Sequence, residues 1–275
     1  MIGKITGLKD LLWSIGIAIC LIAVLFGLIF AMAHGYSGSS EKPAVDLGSI
    51  NIKDEGTAQQ DPLAPGELNQ LKETKNAGQD YLSGLTFICD STMIGMRDYG
   101  MLSGGSANTQ VWGSTGGTIP IESLSSCVIK YPVDGSEISA ATAAMIGQPK
   151  LLVLCVGNDG LAAASEDAFR SAYKGLIDSI RSASPDTTII VCSLLPVTAN
   201  YVGTDGLTNV GIAQAQTWLK QVCIESSVYY ADIASALMAD GSLSTEYSSG
   251  DGRTLNSAGC SKVLEYLSTH AVGQS

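Results

Sequence analysis

Leu151-Leu152-Val153-Leu154-Cys155-Val156, followed at once by Gly157-Asn158-Asp159, is the stretch on which the fold class turns. Six consecutive apolar residues without a polar alternation describe a strand covered on both faces, and the Gly-Asn-Asp triplet ends it in a turn. Leu85-Thr86-Phe87-Ile88, Thr188-Ile189-Ile190-Val191-Cys192 and Val228-Tyr229-Tyr230 read in the same way. Between them Phe169, Tyr173, Leu176, Ile177 and Ile180 recur at helical spacing, as do Ile212, Ala215, Leu219, Val222 and Cys223. A last helix containing Val263, Leu264 and Leu267 is capped by Asn256 or Ser257. Buried strands alternating with amphipathic helices predict an α/β fold, a flavodoxin-like three-layer α/β/α sandwich with a mostly parallel sheet. In such sheets ligands bind beyond the carboxyl ends of the strands, which directs attention to the residues after Ile88, after Val156 and before the last helix.

Toward the N-terminus the pattern changes. Leu11 to Ala33 contains no charged residue, and at about 1.5 Å per helical residue it covers the roughly 30 Å hydrocarbon layer. Lys4 and Lys9 precede this run, so the positive-inside rule keeps residues 1–10 cytoplasmic and exports the rest. The expected organisation is a transmembrane signal-anchor over 11–33, a flexible stalk rich in Gly, Ser, Pro and charge over 34–76, and one domain over 77–275. Ala31-Met32-Ala33 has the form of a cleavage site, and cleavage after Ala33 would give a secreted protein instead. The run is longer than an ordinary signal-peptide core, which favours the single-pass anchor.

A formal net charge of −11 and the lack of a basic stripe argue against nucleic acid as a partner. The seven cysteines show no zinc-binding spacing, no phosphate-binding glycine fingerprint is found, and no metal or cofactor is expected. Within apolar runs these thiols read as small core hydrophobes.

Three short blocks fall at the predicted active edge. Cys89-Asp90-Ser91-Thr92 follows the first strand, where a serine can present its hydroxyl and aim its backbone N–H at a developing oxyanion. Gly157-Asn158-Asp159 follows the central strand and offers the Asn158 amide as a neutral donor. Asp251-Gly252-Arg253-Thr254-Leu255-Asn256-Ser257 precedes the last helix. Each block alone is an ordinary turn or helix cap.

In combination the three blocks resemble the SGNH/GDSL hydrolases, whose corresponding motifs read Gly-Asp-Ser, Gly-x-Asn-Asp and Asp-x-x-His. The likeness runs from about Leu85 to Leu267 and includes Val111-Trp112-Gly113-Ser114-Thr115-Gly116-Gly117. It implies Ser91 as nucleophile, Asp251 as the residue that orients a histidine, and oxyanion donors from the Ser91 backbone, Gly117 and the Asn158 side chain. Gly113 and Gly116 fit the glycine position almost as well as Gly117.

Two departures stand out. Cys89 replaces the family's first glycine, and Thr254 occupies the position of its catalytic histidine. A threonine hydroxyl cannot take up the serine proton near neutral pH as an imidazole can. The chain's histidines, His34 and His270, lie beside the apolar run and well along the last helix. The resemblance therefore implies either an impaired serine ester hydrolase or acyl-transfer domain acting on acyl groups of cell-surface carbohydrate, or a non-catalytic pseudoenzyme binding an acylated or carbohydrate ligand. Thr254→His is expected to return an imidazole between Asp251 and Ser91.

Overall fold

The computed structural model of the protein describes residues 63–273. The expected membrane segment Leu11–Ala33 and most of the expected stalk lie outside them. Among the described residues no helix is long and apolar enough to cross a membrane.

One sheet organises the domain. Its strands are β1 (Asn69–Gln70), β2 (Leu85–Cys89), β3 (Val111–Trp112), β6 (Leu151–Cys155), β7 (Thr188–Cys192) and β8 (Tyr229–Ala231), with β4 (Val128–Lys130) and β5 (Glu137–Ser139) forming a separate hairpin. The order across the sheet is β1-β8-β7-β6-β2-β3, and every pairing in it is parallel. Setting β1 aside and counting from β2, this is the 2-1-3-4-5 order of flavodoxin-like sheets. The order reverses between β2 and β6, because the chain leaves β2 to build β3 on one side and returns to place β6 on the other.

The unbroken apolar character of β6 is explained by its two covered faces. Ile88, Leu152, Leu154, Val191 and Tyr230 point into one core with Phe169, Tyr173, Leu176, Ile177 and Leu219. Their alternating neighbours Phe87, Cys89, Val153, Cys155, Ile190 and Cys192 point into another with Leu255, Val263 and Leu267. The helices that close these cores are α1 (Gly78–Ser83), α2 (Ala140–Gly147), α3 (Glu166–Ala183), α4 (Asn209–Ser226), α5 (Ile233–Leu237) and α6 (Ser257–Thr269).

Local chemistry fixes the helix ends. The Ser165 side chain caps α3 by accepting from Ala168 N, with Glu166 and Asp167 in the first turn and Arg181 in the last, each sign matching the helix dipole. Thr208 caps α4 and Asn256 caps α6 in the same way. Since Asn256 immediately follows the Asp251–Leu255 loop, the cap also sets where that loop ends.

The six cysteines of the described residues are free and buried. Cys155 and Cys192 lie side by side on adjacent strands, their sulfurs 3.6 Å apart. Burial pushes the Cys127, Cys223 and Cys260 thiols up to about 12, which keeps them protonated and unreactive near neutral pH.

One boundary differs from expectation. Asn69 and Gln70, assigned to the stalk by composition, pair with Tyr229 and Tyr230 as an edge strand, and Leu71 beside them is buried. The ordered domain thus begins before residue 77.

Candidate active site

The site forms where the strand order reverses, from the loops that leave β2 and β6. Asp90, the first residue beyond β2, has no exposed surface. Its carboxylate accepts from Thr92 N at 3.0 Å, Thr92 Oγ1 at 2.6 Å, and Gly157 N and Asn158 N at 3.0 Å each. One buried side chain therefore fastens both loops together. Burial, and then the negative charge of Asp159, push Asp90 up to about 6 against the hydrogen bonds from Thr92 and Asn158 that favour its ionised form.

Gly157 is required in the second loop. Its φ is +115°, and a Cβ there would stand 2.9 Å from Leu194 Cδ2 and 3.1 Å from Tyr173 Cε2. The Tyr173 ring is itself pinned by a hydrogen bond from its hydroxyl to Val156 O. Beyond Gly157, Asn158 is turned to the next strand: its Nδ2 donates to Leu195 O at 2.8 Å and its Oδ1 accepts from Leu195 N at 3.1 Å. The expected oxyanion donor is thus spent on holding the loop after β7.

Asp159 is the residue that meets the serine. Ser91 Oγ donates to Asp159 Oδ1 at 2.5 Å, while Asp159 Oδ2 accepts from Ser91 N at 3.1 Å and from Ile119 N at 2.9 Å. Arg253 completes the cluster. Its Nη2 donates to Asp159 Oδ1 at 2.7 Å and to Ser91 Oγ at 3.0 Å, and its Nη1 donates to Asp205 Oδ2 at 2.9 Å. The Arg253 side chain is 20% exposed and that of Asp159 5%. Burial alone would favour a neutral guanidinium, but Asp159 and Asp205 hold it charged and above its ordinary value.

The remaining expected residues fall as follows. Thr254 does sit in the loop facing β2, where Leu255 N donates to Thr92 O. Its backbone N–H and that of Arg253 both donate to Asp251 Oδ1, so Asp251 orders its own turn. Partial burial of Asp251 pulls its pKa upward, yet the hydrogen bonds from Thr254 and the Arg253 backbone hold it below the usual carboxylate range. The backbone N–H of Gly117 closes a turn onto Ser114 O, and the N–H that reaches the site from this segment is that of Ile119. Gly113 packs against Ile94. His270, the one histidine among the described residues, stacks on Tyr266 at the end of α6, thirteen residues long and so about 20 Å from the loop that begins it.

Ser91 and Asp251 therefore lie at one sheet edge, as the strand-end rule requires, but the side chains touching Ser91 are Asp159 and Arg253. Both stand inside blocks visible in the sequence. Aligning the second block on Gly157 as the first glycine of Gly-x-Asn-Asp would have placed Asp159 at the asparagine position and signalled the change from amide to carboxylate. No comparable signal distinguishes Arg253 from Thr254.

Ser91 thus stands at the switch point of a doubly wound parallel sheet, against polar side chains from two neighbouring loops, the place where such folds hold their ligands. Residues 136–262, a little less than half of the chain, match the model of the GDSL-like Lipase/Acylhydrolase family. That segment contains Asp159 and Arg253 and begins after Ser91. Similar solved structures include a candidate platelet activating factor from Streptococcus pneumonia, 20% identical with a TM-score of 0.51, the match covering 67% of this chain and 81% of that one. A candidate GDSL-like lipase from Parabacteroides merdae is 12% identical with a TM-score of 0.48, over 73% of this chain and 98% of that one. At 20% identity the first of these speaks to the fold alone. No match was found among curated proteins.

Proposed function

We propose that the domain is a serine ester hydrolase or acyl-transfer module at the cell exterior, tethered through residues 11–33 and acting on acyl groups of cell-surface carbohydrate. Its turnover is well below that of a site with a histidine. The observation that carries this reading is the environment of the Ser91 hydroxyl, which is bonded to Asp159 and Arg253, with no imidazole beside it among the described residues. A site that has lost one triad member can still accelerate hydrolysis by roughly 10³–10⁴ over water through binding and charge stabilisation. The export expected from the charge asymmetry about residues 11–33 supports a substrate on the outer face.

The full-length protein in detergent, assayed on a small activated ester, is expected to show a slow hydrolysis that disappears in Ser91→Ala. A specific feature favours a second reading. Both backbone N–H groups that could receive a substrate oxygen, those of Ser91 and Ile119, are directed at Asp159 Oδ2. A rate equal to buffer, with an acylated or carboxylated saccharide still bound, would establish the non-catalytic module in place of the hydrolase.

A further inference from the structure

We propose that Asp159 is the catalytic base of this site, taking the proton of Ser91 directly in a serine–aspartate pair. The inference rests on the ester-hydrolase reading and adds to it the residue that replaces the missing imidazole.

Geometry comes first. A base must come within about 3.2 Å of the atom it deprotonates, and Asp159 Oδ1 meets Ser91 Oγ at 2.5 Å. The Asp159 side chain is 5% exposed, so little bulk water competes for this proton. Arg253 Nη2 lies 3.0 Å from the same oxygen, where its positive charge favours an alkoxide forming on Ser91.

The donors around Asp159 also fit a transfer of charge. Before reaction the negative charge sits on Asp159, and Ser91 N, Ile119 N and Arg253 point at it. As Ser91 Oγ bonds to the acyl carbon, its proton passes to Asp159 Oδ1 and the carbonyl electron pair moves onto the acyl oxygen. Asp159 becomes a neutral, weaker acceptor, and the two N–H groups are released to the new oxyanion. Collapse expels the alcohol oxygen, which takes the proton from Asp159. Water then attacks the acyl-serine, giving its proton to Asp159, and the carboxylic acid leaves as Ser91 recovers it. The cluster carries the same net charge throughout, so no isolated charge is created in a low-dielectric site. The Arg253 Nε hydrogen, buried and without a partner, is a further donor within the same side chain.

The pair has a signature that a histidine site lacks. Carboxylates of ordinary pKa stay ionised between about pH 6 and 8, whereas an imidazole titrates inside that interval; the neighbouring Asp90, at about 6, titrates only at its lower end.

The test uses the full-length protein in detergent and an alkyl fluorophosphonate, read by mass as an adduct on the Ser91 peptide. Here Oγ bonds to phosphorus, the P–F bond breaks, fluoride departs and the proton goes to Asp159. The wild type is expected to form one adduct, on Ser91, with a rate constant changing less than about threefold from pH 6 to 8. Asp159→Asn is expected to slow it at least about a hundredfold, and Asp159→Glu to return part of the rate. No adduct on the wild type, an undiminished rate in Asp159→Asn, or a rate rising about tenfold per pH unit as for unassisted hydroxide would each overturn the proposal. The pH profile decides the matter should the asparagine variant not fold. Ser91-dependent ester hydrolysis that survives Asp159→Asn would remove the base and leave the hydrolase, while Asp159-dependent labelling without ester turnover would do the reverse.

Discussion

The buried carboxylate of Asp90 makes the stability of the domain depend on pH in a direction opposite to that of most carboxylates. Its ordinary value is 3.8 and in the folded protein it stands at about 6, raised by burial and by Asp159. Between these values the folded state holds the proton more tightly than the unfolded chain. The contribution is therefore fully present below about pH 4 and lost as pH rises through about 6. Each unit of pKa difference corresponds to about 1.4 kcal/mol, and integrating the linkage from pH 7 to pH 5 gives a gain of about 1.4 kcal/mol from this group. Asp90→Asn removes the titration while keeping the size of the side chain. It also turns an amide N–H toward donors, since Thr92 N, Gly157 N and Asn158 N all point at the present carboxylate. The variant is thus expected to be less stable at both pH values. Urea unfolding of the two proteins at pH 7, 6 and 5 measures the difference. The gap between wild type and variant is expected to widen by about 1.4 kcal/mol on acidification; a gap that stays constant or narrows would refute this account of Asp90.

Two further predictions concern the loop before α6 and the topology. Thr254→His alone is expected to leave ester hydrolysis within about threefold of wild type, far short of the 10²–10⁴ of a working general base, because Arg253 already fills the approach to Ser91 and Asp251 is engaged by its own turn. A hundredfold gain in the single variant, by steady-state rates, would contradict that arrangement. Protease added to intact cells is expected to release the domain by cleavage between the apolar run and residue 63, and complete protection until lysis would exclude an external domain.

The sheet was legible because its physics is one of composition. Strands buried on both faces are apolar at nearly every position, and β2, β6 and β7 are so marked, with Thr86 in β2 and Thr188 at the start of β7 the polar positions. The edge strand β1 left no trace, since Asn69 and Gln70 carry no apolar signal and pair through backbone groups that any residue possesses. At the site, the locations of Ser91, Asp251 and the Gly157 turn followed from strand ends. The direction of individual side chains did not. After Gly157, with φ at +115°, Asn158 faces Leu195 and Asp159 comes forward to Ser91, an exchange of neighbours that no periodicity encodes. The reach of Arg253 past Thr254 is equally a matter of side-chain length and of the partner that Asp205 supplies from a distant loop.

The two outermost strands, β1 and β3, are each only two residues long. The open backbone groups of a sheet edge are what recruit strands from other molecules, and they recruit best when the edge is long and flat. Here neither margin presents more than a dipeptide, and beyond β3 Gly113 is already bridged to Lys130 of the hairpin. The longer, mostly apolar strands that could seed association are shut inside the sheet. The sheet thus offers little open edge through which copies could join strand to strand.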